Sequence, residues 1–124
     1  MLKNNIIVNK SVANGTGLTV ALRRSASTDL ANYNTSSNNN IFYAGTPSAS
    51  NLIYYDGTNA DQLLSDFKTR VAPREIYTST EDVQFTNTTT NDLHILGTVT
   101  LVESNGVAIS GITTDMDNQV RPGP

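Results

Sequence analysis

The sequence predicts an all-β, turn-rich chain, and the spacing of its strands favours a parallel β-helix fragment of about three coils that carries one short α-helix. Asn, Thr and Ser make up about a third of the 124 residues, and they suit turns and exposed strand faces better than helix interiors. Short apolar strands also recur in pairs at a near-constant offset, which is typical of a solenoid. An antiparallel β-sandwich is the alternative.

Three strand pairs carry this pattern, and their members begin 10 to 12 residues apart: Ile6 with Leu18, Ile41 with Leu52, and Val83 with Leu93. The runs are rich in Ile, Phe, Tyr and Val and are bounded by Gly, Pro, Asn and Ser. We therefore expect the pairs to lie in two parallel sheets, one coil upon the next. In that arrangement the matching Asn5 and Asn40 would stack their amides.

One helix is predicted, over residues 60–71. Thr58 and Asp61 make a weak capping box, and Pro73 ends the helical segment. Its apolar stripe, which we expect to pack on the strands, consists of Leu63, Leu64, Phe67 and Val71.

The remaining segments are polar turns with a few short strands between them. A long turn covers residues 23–37. Further strands are predicted at 76–77, 98–102 and 107–112, and residues 113–124 form an irregular tail.

Composition limits the classes of protein. The length favours a single domain over residues 1–124, which we expect to be a piece of a longer chain. The net charge of −3 argues against a nucleic-acid partner, and the absence of Cys excludes disulfides. No apolar run approaches the roughly 18 residues of a membrane span.

Several segments resemble the last coils of secreted right-handed parallel β-helix proteins of the pectin-lyase-like type, which are common among Bacteroidetes surface proteins. The matching segments are Asn38-Asn39-Asn40-Ile41-Phe42-Tyr43, Asn51-Leu52-Ile53-Tyr54-Tyr55-Asp56-Gly57, Gln62-Leu63-Leu64-Ser65-Asp66-Phe67-Lys68, Glu81-Asp82-Val83-Gln84-Phe85 and Asn91-Asp92-Leu93-His94-Ile95. Residues 111–122 are similar to the family's ending, Thr-Asp-aromatic-Asp-Gly-x-x-Arg-Pro. Met116 replaces the aromatic residue and Asn118 the Gly, whose positive φ Asn tolerates. The resemblance implies a secreted or cell-surface location.

Two groups of residues are candidate sites. Asp115 and Asp117, about 7 Å apart on an extended segment, could bind calcium together with Asn118, and their separation is also near that of the carboxylate pair of an inverting glycosidase. A solvated turn at the end of the fold is the favoured interpretation of these residues. Tyr54 and Tyr55 could stack against a sugar ring, although aromatic residues on strands usually belong to the core. No cofactor is predicted apart from this calcium.

The other polar residues favour structural roles. His94 is the only His and has no partner His or Cys for a metal site. Two small basic spots, which could attract an anionic polysaccharide, are Arg23-Arg24 and the group of Lys68, Arg70 and Arg74. The N-terminal end, with Ile6 and Val8 on an open strand edge, is expected to self-associate.

These observations favour a non-catalytic structural or display module of a secreted or cell-surface protein. The motifs behind the resemblance are structural and contain no catalytic residue. A carbohydrate-binding or polysaccharide-processing protein is the alternative.

Overall fold

The structure, a computed structural model, describes residues 1–25, 28–97, 100–115 and 117–120. Three small sheets and two helices occur in this part of the chain. In chain order the elements are β1 (Ile6–Val8), β2 (Thr19–Arg23), β3 (Ile41–Tyr43), β4 (Asn51–Tyr55), β5 (Ala60–Asp61), α1 (Leu64–Val71), β6 (Phe85–Asn87), β7 (Asp92–Ile95) and α2 (Leu101–Asn105).

The corresponding strands of the first two predicted pairs are hydrogen-bonded to each other and run parallel. β1 pairs with β3, with Ile6 opposite Ile41, and β2 pairs with β4, with Val20 opposite Leu52. Ile41 also forms an isolated parallel bridge to Ser79, so a third segment lies against the other edge of β3. The parallel stacking expected for these two pairs is therefore present.

The third strand pair overturns the predicted parallel β-helix of three coils. β6 and β7 form an antiparallel two-stranded hairpin with a register shift between Phe85 and Asn87. The side chain of Asn87 accepts the N–H groups of Thr89 and Thr90, and Asn91 adopts a φ of 61°, so a tight turn reverses the chain. β5 adds a further antiparallel strand to β4. The described chain is a small α+β arrangement of two- and three-stranded sheets, and the alternative β-sandwich is equally wrong.

Helix α1 is shorter than predicted, because residues 60–61 form β5 and the helix begins at Leu64. The carboxylate of Asp56 accepts the N–H groups of Thr58 and Asn59 and holds a turn where the capping box was expected. Leu63 occupies the N-cap position without a side-chain cap. Neither helix among the described residues is long and apolar enough to cross a membrane.

Three predicted strands differ from the structure. Residues 76–77 form an exposed turn, and residues 107–112 form no strand. Thr98 and Val99 lie outside the described residues, whereas the following residues 101–105 form helix α2. In the described part of the chain, residues 76–77 and 107–112 have no strand to pair with, and local propensity alone does not make a sheet.

The core lies between α1 and the two parallel sheets. Its buried members are Tyr33, Phe42, Ile53, Tyr54, Phe67 and Val71. The ring of Phe67 is central to this core. Its centre lies 5.6 Å from that of Phe42, in an edge-to-face contact, and 5.2 Å from that of Tyr54, on which it stacks. The prediction that Phe67 packs α1 onto the strands is confirmed, but Leu63 is 49% exposed and does not share in that packing.

Candidate functional site

A cleft of about 580 Å³ opens beside the start of the chain. It lies between the segment before β1, the segment before β3, the turn after α1 and the end of α2. Most of the residues that line it have polar side chains: Lys3, Ser36, Asn38, Asn39, Tyr77, Asn105, Gly106 and Val107. No Asp or Glu is among these described residues, so Lys3 supplies the only charge.

Asn38 connects two walls of the cleft. The residue forms a parallel bridge with Lys3, and its Oδ1 accepts the backbone N–H of Tyr77 at 2.7 Å and that of Asn39 at 3.0 Å. These bonds fix the backbone of Tyr77, whose side chain is 67% exposed. The Nδ2 of Asn38 has no hydrogen-bond partner within the described part of the chain.

The opposite wall is held by two asparagines in the left-handed region, Asn4 (φ 56°) and Asn39 (φ 58°). Asn4 clamps the backbone of Val107: its Nδ2 donates to the carbonyl at 2.7 Å, and its Oδ1 accepts the N–H at 3.0 Å. Asn39 donates to the carbonyl of Asn105 at 2.9 Å. Because Asn tolerates positive φ better than most residues, these positions suit it.

A buried polar network surrounds Glu75, which is fully buried and adopts a φ of 57°. Its carboxylate accepts hydrogen bonds from the hydroxyls of Tyr33 and Thr78 and from the amide of Asn40, at 2.8 and 3.1 Å. Burial, followed by the hydrogen bond to Glu75 and its charge, raises the pKa of Tyr33. The sequence reasoning missed Glu75, since no local pattern distinguishes it from a surface Glu.

Asn40 extends this network to the first strand layer. Its Oδ1 accepts the side-chain amide of Asn5 at 2.9 Å and the backbone N–H of Asn5 at 3.0 Å. The predicted stacking of the Asn5 and Asn40 amides is therefore confirmed. Asn5 and Asn40 are 35 residues apart in the chain, and Asn40 is in turn hydrogen-bonded to Glu75, a further 35 residues along.

The three predicted basic residues near α1 do not form a surface patch for an anion. Arg70 makes a bidentate pair with the buried Asp61, with both N···O distances at 2.6 Å, and this pairing raises the pKa of Arg70. Arg74 is buried and donates to backbone carbonyls of Tyr33, Leu30 and Val71. Lys68 donates to the carbonyl of Ile76 at 3.0 Å.

Arg23 and Arg24, the other predicted basic spot, lie against tyrosine rings. The guanidinium of Arg23 is 5.6 Å from the ring centre of Tyr55, and that of Arg24 is 5.4 Å from the ring centre of Tyr33. Both distances are within the range of a cation–π contact. These charges therefore take part in contacts within the chain.

The two tyrosines proposed for sugar stacking have different surroundings. Tyr54 is fully buried, stacks on Phe67 and donates its hydroxyl to Asp56 at 3.1 Å, so its ring faces are not available to a sugar. Burial is the main cause that raises the pKa of its hydroxyl. Tyr55 is half-buried beneath Arg23 and keeps part of its ring accessible.

Asp56 closes the turn between β4 and β5. Burial alone would raise the pKa of its carboxyl group. However, hydrogen bonds from Asn59, Thr58 and Tyr54 outweigh that effect and lower the pKa to about 2. Asp56 thus stays ionised as a turn-forming group.

The predicted calcium residues are placed at a tight turn. The Oδ1 of Asp115 accepts the N–H groups of Asp117 at 2.9 Å and Gln119 at 2.8 Å, and Asn118 takes a φ of 61°, as expected for the residue in place of Gly. Asp117 pairs instead with His94, its Oδ2 lying 2.9 Å from Nε2. Met116 lies outside the described residues. Within the described ranges, no three His, Cys, Asp or Glu side chains converge to hold a metal ion.

His94 is flanked by two carboxylates. Asp117 contacts its Nε2 and Asp92 its Nδ1, and these hydrogen bonds raise the pKa of His94 to about 9. The same contact lowers the pKa of Asp92. The side chain is exposed, and both ring nitrogens are occupied.

Comparison of the chain with family models, with curated proteins and with solved structures finds no match in any of the three.

Proposed function

We propose that this chain is a non-catalytic structural module. The observation that carries the proposal is the network around Glu75, in which a fully buried carboxylate accepts hydrogen bonds from Tyr33, Asn40 and Thr78. Tyr33 and Asn40 lie 42 and 35 residues before Glu75, so the carboxylate joins the turn after α1 to distant segments of the chain. A buried carboxylate that is fully surrounded by donors serves the fold and has no open side for a substrate.

Two other buried acidic groups support this proposal: Asp56 forms a turn, and Asp61 pairs with Arg70. His94 is the only histidine of the chain, but a general base needs a ring nitrogen that is free to take a proton. Its two nitrogens already contact Asp92 and Asp117.

Incubation with a panel of neutral and acidic polysaccharides tests the absence of catalysis. Reducing ends and the ultraviolet absorbance of unsaturated uronates would be measured over time, and we expect no product above the protein-free control. Turnover that disappears in a His94→Gln variant would assign a catalytic role to His94 and would contradict the proposal.

Carbohydrate binding is the second candidate function. The specific observation in its favour is the open cleft, which is lined in part by the exposed Tyr77. A glycan array separates the two functions. No binding to any neutral or acidic glycan would leave only the structural module.

The proposal includes a second copy of the chain as a partner. β1 pairs only with β3, and β2 only with β4, so each strand has one edge without a strand partner among the described residues. Open edges recruit further strands. The secreted or cell-surface location stays a prediction.

A further inference from the structure

The sequence contains two Asn-Gly pairs, Asn14-Gly15 and Asn105-Gly106. In such a pair the backbone nitrogen of the glycine can attack the side-chain amide carbon of the asparagine, because glycine has no Cβ to obstruct the approach. The attack also needs a side chain and a backbone that are free to rotate into contact. Whether each pair reacts therefore depends on its surroundings in the fold.

The pair Asn14-Gly15 lies in the loop between β1 and β2, and its surroundings leave it free to react. Residues 14–18 are all exposed. Gly15 adopts a φ of 60°, and apart from its chain neighbours no heavy atom lies within 4 Å of the position that a Cβ would occupy. Within the described part of the chain, neither the side-chain amide of Asn14 nor the backbone N–H of Gly15 has a hydrogen-bond partner.

The pair Asn105-Gly106 lies at the end of α2 and is held on several sides. The side-chain Nδ2 of Asn105 donates to the Oγ of Ser79 at 2.8 Å, and its backbone carbonyl accepts the amide of Asn39 at 2.9 Å. The next residue, Val107, is bound at both its N–H and its carbonyl by Asn4. Ring closure at this pair would move the segment and break these hydrogen bonds, so the fold opposes the reaction.

We propose that Asn14 is a site of spontaneous deamidation, at which the loop between β1 and β2 acquires a carboxylate while Asn105 keeps its amide. The backbone nitrogen of Gly15 loses its proton to a base in the solvent and forms a bond to the Cγ of Asn14. The bond from Cγ to Nδ2 then breaks, and Nδ2 leaves as ammonia with a proton from the solvent. Water opens the resulting succinimide ring at either of its carbonyl groups and leaves aspartate or isoaspartate at position 14.

The modification changes the loop and leaves the strands in place. It adds one negative charge to a chain of net charge −3, and the isoaspartate form also inserts a methylene group into the main chain. Both ends of the loop are fixed outside the modified turn. Asn9 donates its Nδ2 to the carbonyl of Val20 at 3.0 Å, and Thr19 donates its hydroxyl to the carbonyl of Ser11 at 2.8 Å. We therefore expect the urea midpoint of the modified protein to equal that of the fresh protein.

The test is to keep the purified protein at mildly alkaline pH and to follow both sites by peptide mass spectrometry. Isoaspartate would be measured separately, by methyl transfer from labelled S-adenosylmethionine with an isoaspartyl methyltransferase. We expect the peptide with Asn14 to deamidate at least about tenfold faster than the peptide with Asn105, because hydrogen bonds must break only at the second site. Asn14→Gln should abolish the early acidic species in isoelectric focusing, whereas the matched control Asn34→Gln, at another exposed asparagine, should retain it.

Two further measurements show whether the fold causes the difference. In concentrated urea the two pairs should react at similar rates, because both segments are then free. The double variant Asn39→Gly and Ser79→Ala removes both bonds to Asn105 and keeps a residue that tolerates the φ of 58° at position 39, so it should speed deamidation there by about tenfold.

Equal rates at the two sites of the folded wild type, or a faster reaction at Asn105, would overturn the proposal. A difference that persists unchanged in urea would also overturn it, because the fold would then not be the cause. The urea comparison uses the wild type alone, so it decides the matter even where the double variant does not fold.

Discussion

Glu75 shows most clearly how a single residue stabilises this fold. Both oxygens of its carboxylate accept hydrogen bonds from buried donors, whereas a neutral amide of the same shape keeps only one accepting oxygen. We predict that Glu75→Gln lowers the free energy of unfolding by about 2 kcal/mol, because the new NH₂ group opposes buried donors. Urea denaturation measures the loss. The matched control is Glu103→Gln on the exposed surface of α2, which should change the free energy by less than about 0.5 kcal/mol. Equal effects of the two variants would rule out this role for Glu75.

His94 connects the tail to the hairpin of β6 and β7, and its protonation should be visible at moderately alkaline pH. Contacts with Asp117 and Asp92 raise its pKa from 6.5 to about 9. A raised pKa in the folded state means that the contribution to stability is complete below about pH 6.5 and is lost as the pH rises through about 9. An NMR titration of the imidazole signals should give that pKa, and Asp117→Asn should move it towards 6.5. A wild-type pKa near 6.5 would show that the tail does not contact His94.

At the scale of elements, helix α1 is attached to the sheets mainly through one ring. Phe67 is fully buried and contacts both Phe42 and Tyr54. Phe67→Ala is therefore expected to cost about 3–5 kcal/mol of unfolding free energy, which chemical denaturation measures. The matched substitution Leu63→Ala, just before the helix, should cost less than about 1 kcal/mol because that side chain is 49% exposed. A cost below about 1 kcal/mol for Phe67→Ala would show that the helix is loosely attached.

The segment after α2 is held by side-chain amides instead of a strand ladder. Asn4 makes two hydrogen bonds to the backbone of Val107. Asn4→Gly keeps the positive φ but removes both bonds, so we expect the Val107 amide to exchange with solvent about fivefold faster or more. Hydrogen exchange followed by NMR measures this rate. Asn14→Gly, at an exposed position, is the control, and an unchanged rate in Asn4→Gly would mean that the clamp does not hold the segment.

At the scale of the whole molecule, β1 and β2 each leave one strand edge without a strand partner among the described residues. Ile6 is 37% exposed on β1, and neither edge is covered by another strand among the described residues. We predict concentration-dependent self-association in sedimentation experiments, and a reduction of it in Ile6→Lys, because a charge on an edge strand opposes pairing. Ile109→Lys, which changes an equally exposed apolar residue outside the strands, is the control. A wild type that stays monomeric at roughly millimolar concentration would show that these edges do not pair.

The candidate cleft could not be predicted from the sequence. Lys3, Asn38, Tyr77 and Val107 are far apart in the chain, and none belongs to a motif with a known chemical role. The residues that were predicted as sites were recognisable by type, but Tyr54 is buried in the core and Asp115 closes a turn. Residue type suggests what a side chain could do, whereas its neighbours decide whether a ligand can reach it.

The sequence by itself determined the local features of this protein. Short apolar runs indicated where β1 to β4 lie, the equal spacing of Asn5 and Asn40 indicated which layers stack, and the apolar stripe with Phe67 indicated α1. Only the tertiary structure decided that β6 and β7 form an antiparallel hairpin, that residues 101–105 are helical and that Glu75 is buried. The physical reason is that propensity and spacing act over a few residues. Strand direction and the burial of a charge depend on partners supplied by distant segments.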